Sequence, residues 1–86
     1  MVKNEATVIN KTGIHARPAS VLVKKATTYK SDIFFTVNGT RVNGKSMLGV
    51  LGLAASQDSV IEVEANGEDE AVAAQELANF IATFEE

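Results

Sequence analysis

At 86 residues, with no cysteine and a single histidine, the chain has the length of one small domain and excludes disulfide frameworks, thiolate chemistry and the common His-rich metal sites. Apolar residues are 45% of the chain and no apolar run approaches a membrane span, which excludes general disorder and a spanning helix. The net charge of −3 is unevenly placed: residues 1–45 hold all eight Lys and Arg, whereas residues 46–86 hold nine of the eleven acids and no Lys or Arg.

Glu5 to Ile9 is short, rich in β-formers and reads as a first strand. Asn10 to Gly13 reads as a loop. From Ala16 the apolar set Ala19, Leu22, Val23, Ala26 follows i, i+3, i+4, i+7 and predicts a helix over Ala16–Thr27. Lys24 and Lys25 fall off that face and stay in water. Thr27, Thr28 and Tyr29 weaken the helix and end it.

The stretch between loop and helix, Thr12-Gly13-Ile14-His15-Ala16-Arg17-Pro18-Ala19, holds the one histidine and the one proline. Pro18 suits a first helical turn, because its missing N–H would have no partner inside the helix. His15 then stands at the helix entry, where outward-pointing backbone amides and the helix dipole bind anions, phosphate included. That setting disfavours the imidazolium and is consistent with a neutral ring carrying a nucleophilic nitrogen near pH 7. Arg17 adds a fixed positive fork matched to phosphate oxygens. Nucleophile, cation and helix terminus together can accept a phosphoryl group and hold the product. The same residues are also compatible with a solvated cap and a plain surface charge.

Ile33 to Val37 reads as the second strand, with Ile33, Phe35 and Val37 on one face. Asn38-Gly39 is the strongest hairpin signal in the chain. Thr40 to Asn43 returns as the third strand, with Val42 inward, and Asn43-Gly44 turns the chain again. Lys45 to Ala54 reads as a short helix with two apolar faces: Val50, Leu53 and Ala54 on one, Met47, Leu48 and Leu51 on the other. A short helix on a sheet buries one face, leaving the Met47 side as an exposed, adaptable partner patch. Two other readings stay open: both faces buried, or a buried strand. Ser46 sits where a serine caps the helix. Either it is only a cap, or a phosphate there places about −1.5 to −2 charges beside the apolar patch.

Val60 to Ala65 reads as the fourth strand, with Ile61, Val63 and Ala65 inward and Glu62 and Glu64 facing water. Asn66-Gly67 is a turn. Glu68, Asp69 and Glu70 suit a helix start. Ala73, Leu77, Phe80, Ile81 and Phe84 then predict an amphipathic helix running to the C-terminus. The order β-α-β-β-α-β-α, with three amphipathic helices and a one-sided sheet, implies a single two-layer α+β domain over residues 1–86.

Gly13-Ile14-His15-Ala16-Arg17-Pro18-Ala19 and Lys45-Ser46-Met47-Leu48-Gly49 resemble the two motifs of the HPr family, the histidine-containing phosphocarriers of the phosphoenolpyruvate-dependent sugar phosphotransferase system. The resemblance covers essentially the whole chain. It implies an open-faced β-sandwich: four antiparallel strands covered on one face by three helices. It implies that His15 takes a phosphoryl group on Nδ1 from phosphorylated enzyme I and passes it to a histidine of an enzyme IIA domain. Arg17 and the backbone amide of Ala16 would steady the phosphate. Thr12, Ser20, Lys24, Met47, Leu48, Gly49 and Leu51 would meet partners. Ser46 followed by two apolar residues and Gly49 resembles the version carried by Firmicutes. There, an HPr kinase/phosphorylase modifies the serine, and the product joins the catabolite control protein as co-repressor. No cofactor, metal, direct nucleic-acid contact or membrane insertion is implied, and a cytoplasmic location is expected. Two other classes compete. A regulatory module would work through Ser46 and the Met47 patch alone. A nucleic-acid binder would need a stacking platform and a dense basic cluster, which the sequence lacks.

Overall fold

Alternating apolar and polar residues set the strands, and the computed structural model, in which residues 1–85 are described, has four of them among those residues. They are β1 (Val2–Thr7), β2 (Asp32–Val37), β3 (Thr40–Asn43) and β4 (Val60–Asn66). Three helices complete the chain: α1 (Ala16–Ala26), α2 (Met47–Gly52) and α3 (Glu70–Thr83). The sheet order is β1-β4-β2-β3, every neighbour antiparallel. Ile33, Phe35, Ile61 and Val63 on its inner face are at most 1% exposed. The helices cover that face through Leu22 of α1, Val50 of α2 and Leu77 and Ile81 of α3, all equally buried. This is the open-faced, one-sided α+β sandwich expected. Each large apolar side chain so buried contributes roughly 1.5–3 kcal/mol.

Local chemistry explains the boundaries. Asn38 (φ 50°) and Gly39 (φ 84°) are both left-handed, the backbone a two-residue hairpin turn demands. Thr27 and Thr28 end α1 by turning their hydroxyls onto the carbonyls of Lys24 and Lys25, both at 2.7 Å. Beyond that end, Tyr29 donates its hydroxyl to Glu76 of α3. Burial, then that carboxylate, pushes its pKa up to about 12.

Several expectations are corrected. β1 starts at Val2, not Glu5, and ends before Ile9, because β4 is long enough to pair Val2 with Ala65 and Thr7 with Val60. α3 stops at Thr83: Phe84 is extended, and its ring packs against Phe80 with centroids 5.3 Å apart. Glu86, at the end of the predicted helix, lies outside the described residues. Ala54 does not join a buried face; it is exposed, with φ 50°, in the turn after α2. Glu64 does not face open water. On the outer side of β4 it is 8% exposed, bonded to the Arg41 guanidinium at 2.9 Å. That bond foremost holds its carboxyl below the usual carboxylate range.

The start of α3 is tied to the start of β2 by one carboxylate. Asp69, the N-cap residue, accepts from the Ser31 hydroxyl (2.5 Å) and from the backbone N–H groups of Ser31 (3.0 Å) and Lys30 (2.9 Å). These donors, the hydroxyl first, hold its pKa down from 3.8 to about 2. A depressed carboxyl pKa stabilises the fold above the unfolded-state value, and the contribution fades as pH falls through the folded-state value. The thermal-stability gap between wild type and Asp69→Ala is therefore expected to be full above about pH 5 and to close towards pH 2. Thermal unfolding across that range checks it; an equal gap at both ends would show that the charge is not what holds the two elements.

Candidate functional site

Where the chain enters α1, the backbone is held at every step. Gly13 N–H donates to the Asn10 carbonyl (3.1 Å), Ile14 N–H to the Ala55 carbonyl (2.8 Å) and His15 N–H to the Gly13 carbonyl (3.2 Å). The Ile14 side chain is 4% exposed and anchors the loop in the core. Pro18 and Ala19 are buried on the other side of the entry. Between these anchors His15 is half-buried, and Ala16 and Arg17 stand at the surface. His15 is the N-cap residue, with an extended backbone (φ −103°, ψ −162°).

The first intrahelical bond runs from Ala19 N–H to the His15 carbonyl (2.9 Å). The amides of Ala16 and Arg17 therefore belong to the first turn that His15 caps, directed towards the helix end. No acidic residue occupies the first turn, so nothing there repels an anion, and the only basic residues of the last turn are Lys24 and Lys25. The expected trio of His15, Arg17 and the Ala16 amide is thus brought to one helix end.

The second motif sits apart. Ser46 caps α2, its hydroxyl accepting from Gly49 N–H at 3.2 Å. Lys45 Nζ reaches the Tyr29 carbonyl just beyond the end of α1 (2.9 Å), while Ala55, just beyond the end of α2, holds the loop before α1. The two helices therefore lie side by side and antiparallel, with Ser46 and His15 at opposite ends of α2. A six-residue helix separates them by about 9 Å of rise.

The apolar residues of α2 divide. Leu48 is 85% exposed and Leu51 37%, whereas Met47 is half-buried and packs against the core. The Met47 side is therefore an exposed patch in its leucines and only partly in its methionine. Gly49 is half-buried rather than presented outward. A Cβ there would lie 3.3 Å from Val42 Cβ and 3.4 Å from the Asn43 carbonyl, so its missing side chain lets α2 lie close on β3. Thr12, Ser20 and Lys24 are all exposed, the first in the loop and the others on α1.

The basic charge of the first half is in part consumed by ion pairs. Lys3 pairs with Glu62 (3.9 Å), Lys30 with Glu68 (3.6 Å) and Arg41 with Glu64 (2.9 Å), so basic first half and acidic second half meet across the fold. Sequence reasoning missed Asn10, Ala55 and Lys45, which place the two motifs. Of these, only Asn10 left a signal: a turn-forming side chain three residues before a glycine. Among the described residues no group of three or more His, Cys, Asp or Glu could hold a metal ion.

The family model described as the PTS HPr component phosphorylation site matches residues 2–83. The phosphocarrier protein HPr of Neisseria meningitidis is 43% identical over 81 residues, covering 94% of this chain and 91% of that protein. The structure of HPr-C-His from Thermoanaerobacter tengcongensis superposes with a TM-score of 0.89 at 37% identity, over 94% of this chain and 91% of that one. Crh, described as the catabolite repression HPr of Bacillus subtilis, superposes with a TM-score of 0.67 at 34% identity, over 96% and 99%.

The loop's seat leaves no room for a side chain at Gly13. Its φ is 70°, and a Cβ would fall 2.3 Å from the Ala55 carbonyl oxygen and 2.9 Å from Ser56 Cα. Gly13→Ala is therefore expected to cost about 2 kcal/mol or more, from left-handed strain plus backbone displacement. Denaturant unfolding measures the loss; a change below about 0.5 kcal/mol, the range of ordinary surface substitutions, would mean the loop moves freely off Ala55.

Proposed function

We propose, from the premise that the chain belongs to the HPr family and is a phosphocarrier protein of the phosphotransferase system rather than a free-standing enzyme, that His15 is the residue that carries the phosphoryl group. What supports this most is the position of the chain's single histidine, half-buried at the N-cap of α1, with the first-turn amides beside it. Enzyme I in its phosphorylated form is the donor and an enzyme IIA domain the acceptor. In the first step the bond from phosphorus to the donor breaks as one to His15 Nδ1 forms. In the second, the bond to Nδ1 breaks as one to the acceptor histidine forms.

Carriage asks for moderate stabilisation. The phosphoryl oxygens carry the charge, and in this reading the Ala16 and Arg17 amides and the Arg17 guanidinium steady it. Partial exposure lets two proteins approach the same ring in turn. The exposed residues Thr12, Ser20, Lys24, Leu48 and Leu51 form the docking surface in this reading, with Met47 at its edge. Its basic members favour acidic partners. The chain works as one domain over residues 1–86, in the cytoplasm. No helix among the described residues is long and apolar enough to cross a membrane.

Ser46 is the regulatory position in this reading. An HPr kinase/phosphorylase places a phosphate on it, and the product acts with the catabolite control protein as co-repressor. Its place in front of the exposed Leu48 supports this, as does the likeness to a catabolite repression HPr. That likeness also favours a second reading, in which the chain is a regulatory module acting mainly through Ser46, Met47, Leu48 and Leu51. The two separate on the chemistry of His15.

Incubation with phosphoenolpyruvate and enzyme I is expected to add one phosphate that mild acid removes, and His15→Ala is expected to abolish the gain while staying folded. Intact mass reads both; a phosphate that persists in His15→Ala excludes His15 as the carrier. Aspartate caps a helix as well as serine does, so Ser46→Asp adds charge while keeping α2 capped. It is expected to raise the KM of enzyme I for the carrier several-fold, with the melting temperature nearly unchanged. Transfer kinetics indistinguishable from wild type would refute the regulatory role of charge at this position.

A further inference from the structure

Asn10 is the one residue of the loop before α1 whose buried side chain is polar. It is 5% exposed, yet lies only five positions from His15. Its side-chain amide makes a short bond, 2.6 Å, from Nδ2 to the Gly13 carbonyl, and a long one, 3.5 Å, to Thr12 Oγ1. Its Oδ1 is buried and meets no donor among the described residues. The orientation follows from chemistry: a carbonyl oxygen accepts only, so the amide half that faces Gly13 must be the NH2. Burying an amide is unfavourable where one half is unpaired, so the retained half has to matter.

What it holds is the carbonyl that orients the phosphate acceptor. The Gly13 oxygen takes two donors, Asn10 Nδ2 and the backbone N–H of His15 at 3.2 Å. The Ile14 N–H of the same peptide unit donates to the Ala55 carbonyl. Without the Asn10 amide, the Gly13 oxygen would keep only the longer, local bond from His15 N–H, and a tilt of that peptide about its Ile14 N–H anchor would turn the backbone that aims the imidazole.

We propose that Asn10 is a positioning residue for phosphoryl transfer: its Nδ2 amide fixes the Gly13 carbonyl and through it the direction in which His15 presents its ring. The proposal rests on His15 as the carrier. In-line transfer is sensitive to displacements of about 1 Å, which cost up to about a hundredfold in rate. Loss of this hydrogen bond is expected to slow transfer about tenfold.

The test compares wild type, Asn10→Ala and Asn10→Asp in transfer from phosphoenolpyruvate through enzyme I, at a series of pH values from 5 to 8. Asn10→Ala should be slower by the same factor throughout. Asn10→Asp should be at least as slow at pH 8, where an ionised carboxylate offers only acceptors to an acceptor. It should recover towards wild type as pH falls, because a protonated carboxyl again donates to the Gly13 oxygen. The neighbouring charges, Lys11 and Glu85 in the same surface recess and His15 itself, are common to all three proteins, so the ratio to wild type isolates position 10. Circular dichroism and melting temperature report folding. If Asn10→Asp unfolds, the Asn10→Ala rate and the amide shifts of Ile14 and His15 in nitrogen-15 spectra decide alone. Folded variants that transfer at the wild-type rate overturn the proposal, as does a slowed Asn10→Asp with no recovery at low pH. Failure of wild type to take an acid-labile phosphate overturns instead the assignment of His15, so the two failures are told apart.

Discussion

A sheet with one apolar face has to be covered on that face and on no other, and the rest of this molecule answers to that constraint. Ile33, Phe35, Ile61 and Val63 supply the face, and three helices of unequal length share the cover. The long helix α3 lies on β1 and β4. The short α2 lies on β3, and α1 packs against both α2 and α3. The antiparallel arrangement of α1 and α2 has a functional consequence. The loop before α1 must rest on the turn after α2, and it does so through Ile14 and Ala55. The His15 end of α1 is thus braced by the element that carries the other motif.

The outer face of the sheet follows a different rule. Its charged residues are arranged across strands rather than merely solvated. Glu64 lies directly opposite Lys3 on β1 and Phe34 on β2. Arg41 crosses from β3, stacks 3.7 Å above the Phe34 ring centroid and closes on Glu64. Stacking removes water from the pair, which makes its charge–charge contact stronger than that of a fully exposed bridge. The unbalanced charge along the chain is therefore partly a folding device: Lys3 on β1 and Arg41 on β3 pair with Glu62 and Glu64 of β4. Only the remainder is available to steer partners.

A carrier must hold a reactive group still without enclosing it. Here stillness comes from the backbone beneath His15, and access from the exposed helix entry, where Ala16 and Arg17 stand at the surface and His15 is only half-buried. Rigid support with an open top suits a ring that two proteins approach in turn. Ser46 is separated from it by a helix length. A charge placed there would lie beside the exposed Leu48 rather than touch the imidazole.

Much of this was legible in the chain. Period-two and period-3.6 patterns and β-former content located the seven elements and most of their buried faces, because those signals are local and repeat along an element. Asn38-Gly39, Ser46 and the Thr27-Thr28 pair marked their turn, cap and stop, since each acts on backbone within four residues of itself. The placement of His15, Arg17 and the Ala16 amide at one helix end followed from Pro18 and the start of the apolar stripe. What tertiary structure alone decided depends on neighbours distant in sequence. Glu64 read as a water-facing strand residue, because nothing local reveals that Arg41 and Phe34 will cover it. Ala54 read as core, because helical periodicity cannot report that α2 stops at Gly52, two residues earlier. Asn10 read as ordinary loop: its worth lies in a buried hydrogen bond that exists only once Ile14 is drawn into the core. The distance from Ser46 to His15 came from the antiparallel packing of α1 beside the six-residue α2. Local pattern selects elements and faces; which groups meet is settled by packing, where contacts are made between surfaces and not along the chain.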